Sequence, residues 1–399
     1  MTDLAADTSY RLRSQVSIPK LIEAGDVAHW WCTHISECMP TAMLHSRQAT
    51  VPLEQAPMDE VFDIHAETDL GKGSLREFLA HPQSRARAFL VVKNGRIVAE
   101  SYPDLRPEQP HLWASCAKPT AGLMIEHLID EGLIDDARTL GEYVPALRDT
   151  DWGMVTVRDI MDMAPGMDCE DTEITRENPK SNAIRAYCAE FNVPFGDKLE
   201  TLLEVLQDVP RQCPPGEKFE YSSPCTQVLV FLAEAVSGKR WPDLFRDRVW
   251  SHVTADGPMQ VHLTPDGVAC AHGIVSSTLR DMARFGMLYT PSWRRAAVTQ
   301  VVGDGVIRRI RTAVREKPFF MKGFDGPVFV DRLGDDTMQG NARQWDCIWP
   351  DGDLYKGGLM DQGLYVCPSR DLVIAYFSTT PHMQLTRYLR PIATSGLLA

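Results

Sequence analysis

Ser115, Cys116, Ala117 and Lys118 form an S-x-x-K tetrad on the opening turn of a helical stretch, where residues three apart share a face and can touch. A lysine so placed can take the serine proton if it is neutral part of the time, and partial burial beside another cation arranges this by disfavouring its charged form. The start of a helix also offers backbone N–H groups and positive dipole to an oxyanion. Alone, the tetrad carries little weight, because such spacings arise by chance in most long chains. Two other stretches could join it. Pro214-Pro215-Gly216 begins a stiff turn that delivers Tyr221-Ser222-Ser223 just before a helix, and a tyrosine paired with a neutral lysine can relay a proton to a leaving group. In isolation it reads as a half-buried core tyrosine. Lys356-Gly357-Gly358-Leu359 lies on an apparent strand, and in isolation reads as a turn with a solvated lysine.

The elements that must position these residues are legible in the hydrophobic pattern. From Ala88, the runs AFLVVK and RIVAESY flank Asn94-Gly95, a dipeptide favoured in tight hairpins. After Trp113 the period turns helical, with Leu123, Met124, Leu128, Ile129 and Leu133 on one side, Pro119 in the first turn and Gly132 near the end. Ser115 is therefore expected at a helix N-terminus. Residues 156–164, 225–237 (followed by Gly238) and 277–288 are further predicted helices. Strands 364–367 and 372–377 flank the turn Pro368-Ser369-Arg370-Asp371. Sheet, helical insert and sheet in that order predict one mixed sheet closed by its two terminal hairpins. The first seventy or so residues show no sustained period and are read as an extension wrapping the body.

Taken together, the three motifs resemble those of the serine β-lactamase and penicillin-binding superfamily, whose class A form is S-x-x-K, S-D-N and K-T-G. Tyrosine in the second motif is typical of class C β-lactamases, related esterases and 6-aminohexanoate-dimer hydrolases. The resemblance extends to residues 155–168 (VTVRDIMDMAPGMD), 214–238, 277–288 and 357–378, the last similar to the closing hairpin of the 6-aminohexanoate-dimer hydrolase branch, and spans residues 86–380. It implies an α/β (α+β) fold: a mixed, mainly antiparallel sheet flanked by helices, with an inserted helical domain. The expected division is an N-terminal extension (1–75), a sheet domain (76–112 and 265–399) and a mostly helical domain (113–264) carrying Ser115, Lys118 and Tyr221. By the same resemblance Ser115 is the acyl-forming nucleophile, Lys118 its base and Tyr221 the proton donor to the leaving group. The backbone N–H groups of Ser115 and Leu359 form the oxyanion hole, each such donor being worth about 3 kcal/mol in the transition state. Lys356 falls on the third motif, where its charge would favour a tyrosinate and a neutral Lys118.

The departures narrow the substrate. Gly357 replaces the Thr or Ser whose hydroxyl helps hold a β-lactam carboxylate, with Gly358 following, and Ser223 replaces the Asn that binds a side-chain amide. Both argue against antibiotic hydrolysis. Asp361 stands where the 6-aminohexanoate-dimer hydrolase branch usually has glycine and is expected to alter the acyl pocket.

Composition excludes other classes. A net charge of −13, from 54 acidic and 41 basic residues, repels a phosphate backbone, and the one basic stretch, Arg308–Arg315, lacks interleaved aromatics and reads as a solvated face. No run reaches the roughly 18 apolar residues of a membrane span, nor is there an early signal-like core, so a cytoplasmic location is expected. Ten scattered cysteines without C-x-x-C pairs read as reduced thiols. Cys116 is taken as a buried thiol, since its side chain is rotated about 100° from Ser115. Trp113, Trp345 and Trp349 are assigned to core or pocket wall. His272 is read either as a substrate contact or as a turn residue satisfied by backbone. Asp168, Glu170, Asp171 and Glu173 are read as a solvated lid rather than a metal site, and Gly71-Lys72-Gly73-Ser74 lacks P-loop spacing.

The function so implied is a serine hydrolase of small amides or esters, with no metal or organic cofactor and no nucleic-acid or membrane partner. The N-terminal extension either closes the pocket or meets a second subunit in a homodimer. Two alternatives stay open: a transacylase using the same acyl-enzyme, and a non-catalytic binder or sensor on the same fold, which predicts a damaged triad.

Overall fold

In the computed structural model, which describes residues 6–381 and 384–398, an eight-stranded sheet organises the chain. Numbering only its strands, these are β1 (Glu54–Gln55), β2 (Ala86–Lys93), β3 (Arg96–Ser101), β4 (Gly340–Ala342), β5 (Trp345–Ile348), β6 (Leu354–Gly358), β7 (Gln362–Cys367) and β8 (Leu372–Ser378). Their spatial order is β4-β5-β6-β7-β8-β2-β3-β1. All neighbours are antiparallel except β1, which runs parallel to β3. The two terminal hairpins join as expected: β8 pairs with β2 from Leu372↔Lys93 to Ser378↔Ala86.

Local chemistry explains the turns. Asn94 (φ 49°) and Gly95 (φ 72°) both take the left-handed conformation that a tight two-residue hairpin requires. Every residue of β6, β7 and β8 is buried, so both faces of this antiparallel sheet are covered and the usual alternation is lost. One cover is helix Leu279–Met287, seated so closely that a Cβ at Gly286 would lie 2.8 Å from Val373 Cγ1.

A second, four-stranded sheet runs Thr41–Leu44, Met259–His262, Val275–Ser277, His111–Leu112. It gathers strands from four distant stretches, so residues 259–262 leave the helical insert for a sheet. The Trp113 N–H donates to the Val275 carbonyl at 2.8 Å, which anchors the chain just before Ser115. Helices Ala6–Arg13, Ile18–Ile22 and Asp26–Trp31 build a core of their own around Trp30 and Trp31, joined by Leu112, Ala114, Cys270, Ile274 and Met360.

The predicted helices are present with shifted ends. Helix Lys118–Asp130 starts after a 3₁₀ turn at Ala114–Ala117. The 156–164 helix is only Val157–Met161, because Met163 turns left-handed (φ 54°) and Gly166 (φ 73°) follows. The 225–237 helix begins at Ser223, with Ser222 capping the Cys225 N–H, Pro224 in the first turn and left-handed Gly238 closing it. Residue 277 belongs to a strand, and the helix after it begins at Leu279 beneath a Thr278 cap. The basic segment is less solvated than its composition suggested: Arg309 pairs with Glu126 and Asp130, and Arg315 with Asp159 and Asp162. All ten cysteines are free thiols and eight are buried. Among the described residues, no helix is long and apolar enough to cross a membrane.

Candidate active site

Ser115 enters through Ala114, whose φ of 47° is a conformation a non-glycine residue rarely adopts. The following 3₁₀ turn leaves Ser115 facing a cavity and buries Lys118 completely at the start of the α-helix. Lys118 Nζ lies 3.1 Å from Ser115 Oγ, 3.1 Å from Ser223 Oγ and 2.9 Å from the His272 carbonyl. Burial first, and the charge of Lys356 second, lower its pKa from 10.5 to about 7.

Tyr221 arrives on the segment capped by Ser222. Its hydroxyl receives a hydrogen bond from Lys356 Nζ at 3.0 Å, and Ser115 is a further hydrogen-bond partner. Lys356 projects from β6, fully buried, and its Nζ contacts both carboxylate oxygens of Asp346 at 2.7 Å. The same strand presses its glycines on the nucleophile turn. A Cβ at Gly358 would lie 3.0 Å from Ser115 N and 3.0 Å from Ala114 Cβ, and one at Gly357 would meet the Tyr355 hydroxyl at 2.7 Å. A side chain at position 357 would therefore require the Tyr355 ring to shift.

These groups open on a cavity of about 230 Å³. One wall is the β6 end at Gly357–Met360, and another is apolar, from Leu21 and Trp31 of the N-terminal helices. The extension thus forms part of the pocket. The third wall is charged, with Asp171, Arg176, Glu190 and Asp325.

Several expectations need correction. The acidic loop is solvated only in part: Asp168 and Glu173 are exposed, whereas Asp171 and Glu170 turn inward. Asp171 is 4% exposed and accepts hydrogen bonds from Ser223 (2.8 Å), Tyr187 (2.6 Å) and Arg176 (2.9 Å), while Glu170 pairs with Lys218. Burial pushes the Asp171 carboxyl up, but Arg176, Tyr187, Lys118 and Ser223 outweigh it and hold the pKa below its usual value. Among the described residues no acidic or histidine cluster is placed to hold a metal ion. Lys356 does not produce a tyrosinate, because burial first and the neighbouring Asp346 charge second drive the Tyr221 phenol well above its ordinary range. Asp361 does not line the cavity. It is buried, and accepts from the Gln384 and Leu385 backbone N–H groups at 2.8 and 2.9 Å, tying the C-terminal segment to the sheet. The His272 ring is partnered by a side chain rather than by backbone: it borders the cavity with Nε2 3.0 Å from Glu190 Oε1, while the residue's carbonyl accepts a hydrogen bond from Lys118 Nζ.

Cys116 is buried, with Sγ 3.2 Å from the Lys356 carbonyl, and Trp113, Trp345 and Trp349 are core. The sequence reading overlooked Asp171 as a buried partner of Ser223, and Asp346 altogether. Asp346 had a signal: Pro350-Asp351-Gly352 marks a turn, and counting outward from it sets Asp346 opposite Lys356, one step beyond the observed pair Cys347↔Tyr355.

Comparison with known proteins bears on the family and the fold. The chain is 27% identical over 355 residues to the 6-aminohexanoate-dimer hydrolase of Paenarthrobacter ureafaciens, covering 88% of this chain and 85% of that one. A candidate 6-aminohexanoate-dimer hydrolase from Bacillus anthracis superposes with a TM-score of 0.79 at 22% identity, over 96% of both chains. EstCE1, a hydrolase with promiscuous acyltransferase activity, does so with a TM-score of 0.55 at 13% identity, over 78% of this chain and 94% of its own. The beta-lactamase family profile matches residues 73–394, and the chain accordingly belongs to the beta-lactamase family, within which it resembles the 6-aminohexanoate-dimer hydrolase branch.

Proposed function

We propose that this protein is a serine hydrolase that cleaves small amides or esters through an acyl-enzyme on Ser115. The observation that carries the reading is Lys118 Nζ, buried 3.1 Å from Ser115 Oγ and with a pKa lowered to about 7, behind a serine that lines the cavity. As a neutral amine, Lys118 keeps two N–H bonds for Ser223 and the His272 carbonyl and turns its lone pair to the Ser115 hydroxyl. Ser115 Oγ then bonds to the substrate carbonyl carbon and its proton passes to Lys118. The oxyanion falls to the N–H groups of Ser115 and Leu359, which β6 brings beside the nucleophile turn. Tyr221 gives its proton to the departing nitrogen or oxygen as the carbon–heteroatom bond breaks, and a proton crossing from Lys118 to Tyr221 resets the pair. Water repeats the sequence on the acyl ester and frees the acid.

The crowded position 357 and the serine at 223 turn the reading away from β-lactams, and ten unpaired thiols suit a reducing compartment such as the cytoplasm. Intact-mass analysis after exposure to a panel of p-nitrophenyl esters, linear amides and one β-lactam tests it. A covalent acyl adduct on Ser115 is expected, lost in Ser115→Ala. Full ester turnover by a folded Ser115→Ala variant sinks the proposal. Transfer of the acyl group to an alcohol or amine is the second reading, prompted by the acyltransferase activity of EstCE1. Suppressed acid formation with added acceptor would favour it.

A further inference from the structure

Resting on that acyl-enzyme reading, we propose that Asp346 is a positioning residue of the active site: it fixes the Lys356 ammonium against the Tyr221 hydroxyl and cancels its charge there. Asp346 and Lys356 face each other across β5 and β6 with side-chain exposures of 4% and 0%. The carboxylate takes Lys356 Nζ on both oxygens at 2.7 Å and the Gly357 N–H on Oδ2 at 3.0 Å. One N–H shared between the two carboxylate oxygens leaves two, for the Gly357 carbonyl at 3.2 Å and the Tyr221 hydroxyl at 3.0 Å.

An ammonium only donates. The Tyr221 oxygen therefore accepts from Lys356 and must aim its own proton elsewhere, toward Ser115 and the leaving group beside it. Without Asp346, Lys356 would be a buried, uncompensated cation free to turn to other acceptors.

The charge also reaches the base. Around Lys118 stand Lys356, Asp171, Asp346 and Glu190, with the Ser115 and Ser223 hydroxyls and the His272 carbonyl in contact. Around Tyr221 stand Asp346, Lys356, Ser115, Asp171 and Asp325, with Lys118 over its ring, and Arg176 backs Asp171. Removing the Asp346 charge leaves Lys356 unopposed among these groups, which disfavours a protonated Lys118.

The test is the pH dependence of p-nitrophenyl ester turnover in Asp346→Asn, Lys356→Met and the double variant, with melting curves for each. Asp346→Asn is expected to lose kcat on the order of 100-fold with KM little changed, and its acid limb should move to lower pH. Lys356→Met should move that limb to higher pH. The double variant restores neutrality, so its limb should return toward the wild type while kcat stays low, because nothing orients the Tyr221 proton. A merely structural Asp346 would lower the melting temperature and leave the limbs in place. An unmoved limb in folded Asp346→Asn, or a double variant with wild-type kcat, overturns the inference. If Asp346→Asn does not fold, the charge-balanced double variant decides alone. Persistence of the Ser115 adduct separates either outcome from failure of the acyl-enzyme reading itself.

Discussion

Lowering the pH should switch off acylation at a point set by Lys118. Burial first and Lys356 second bring its pKa from 10.5 to about 7. At pH 7 about half of the molecules then carry the neutral amine, against roughly one in three thousand for an ordinary lysine. The acylation rate should rise tenfold per pH unit and level off near 7, so that at pH 5 it is about one-hundredth of the plateau. Stopped-flow measurement of the p-nitrophenol burst from p-nitrophenyl acetate, between pH 5 and 9 at constant ionic strength, reads this limb directly. Lys118→Arg, whose guanidinium stays charged, should lose the plateau. A rate still climbing tenfold per unit at pH 9, or flat below pH 6, would refute Lys118 as the base.

The same lysine should cost stability. With its folded pKa below its unfolded one, the unfolded chain holds more protons between pH 7 and 10.5, so the cost is full below about 7 and disappears above 10.5. Set against a gross cost of about 5 kcal/mol, Lys118→Met orphans the His272 carbonyl and two hydroxyls. A net gain of about 2 kcal/mol in urea unfolding at pH 6 is expected, shrinking at pH 9, together with loss of turnover. Gly358→Ala should cut kcat/KM on the order of 100-fold with a small fall in Tm, since its Cβ would push β6 off Ser115 N and displace an oxyanion donor. Asp361→Ala should lower stability by about 1–3 kcal/mol by freeing two buried N–H groups, with kcat/KM within about threefold. A large catalytic loss at a temperature where it stays folded would return Asp361 to the pocket. Trp31→Ala, which opens the apolar wall, should raise KM about tenfold and leave kcat unchanged.

The parts of this site written in short stretches of chain were readable before any coordinates. Ser115 and Lys118 are three residues apart, so their contact needs only a helical turn, and the Asn94-Gly95 hairpin and Gly238 stop rest on backbone conformations those residues favour. The extension was harder to read because its helices find their apolar partners at Cys270, Ile274 and Met360, far along the chain. No local period records such partners.

Sequence by itself determined the residue types available for acyl chemistry and the elements that carry them. Tertiary structure decided which charges meet. Asp171 lies beside glutamates and aspartates in a stretch that reads as solvated, yet Arg176, Tyr187 and Ser223 enclose it. Asp346 reaches Lys356 only through the register of β5 on β6, and burial first, with the Asp346 charge second, raises the Tyr221 phenol where a tyrosinate was expected. Burial and register are properties of the packed chain: a carboxylate's pKa follows the water removed from it and the partner brought within about 3 Å, and neither is fixed until the strands and loops have found each other.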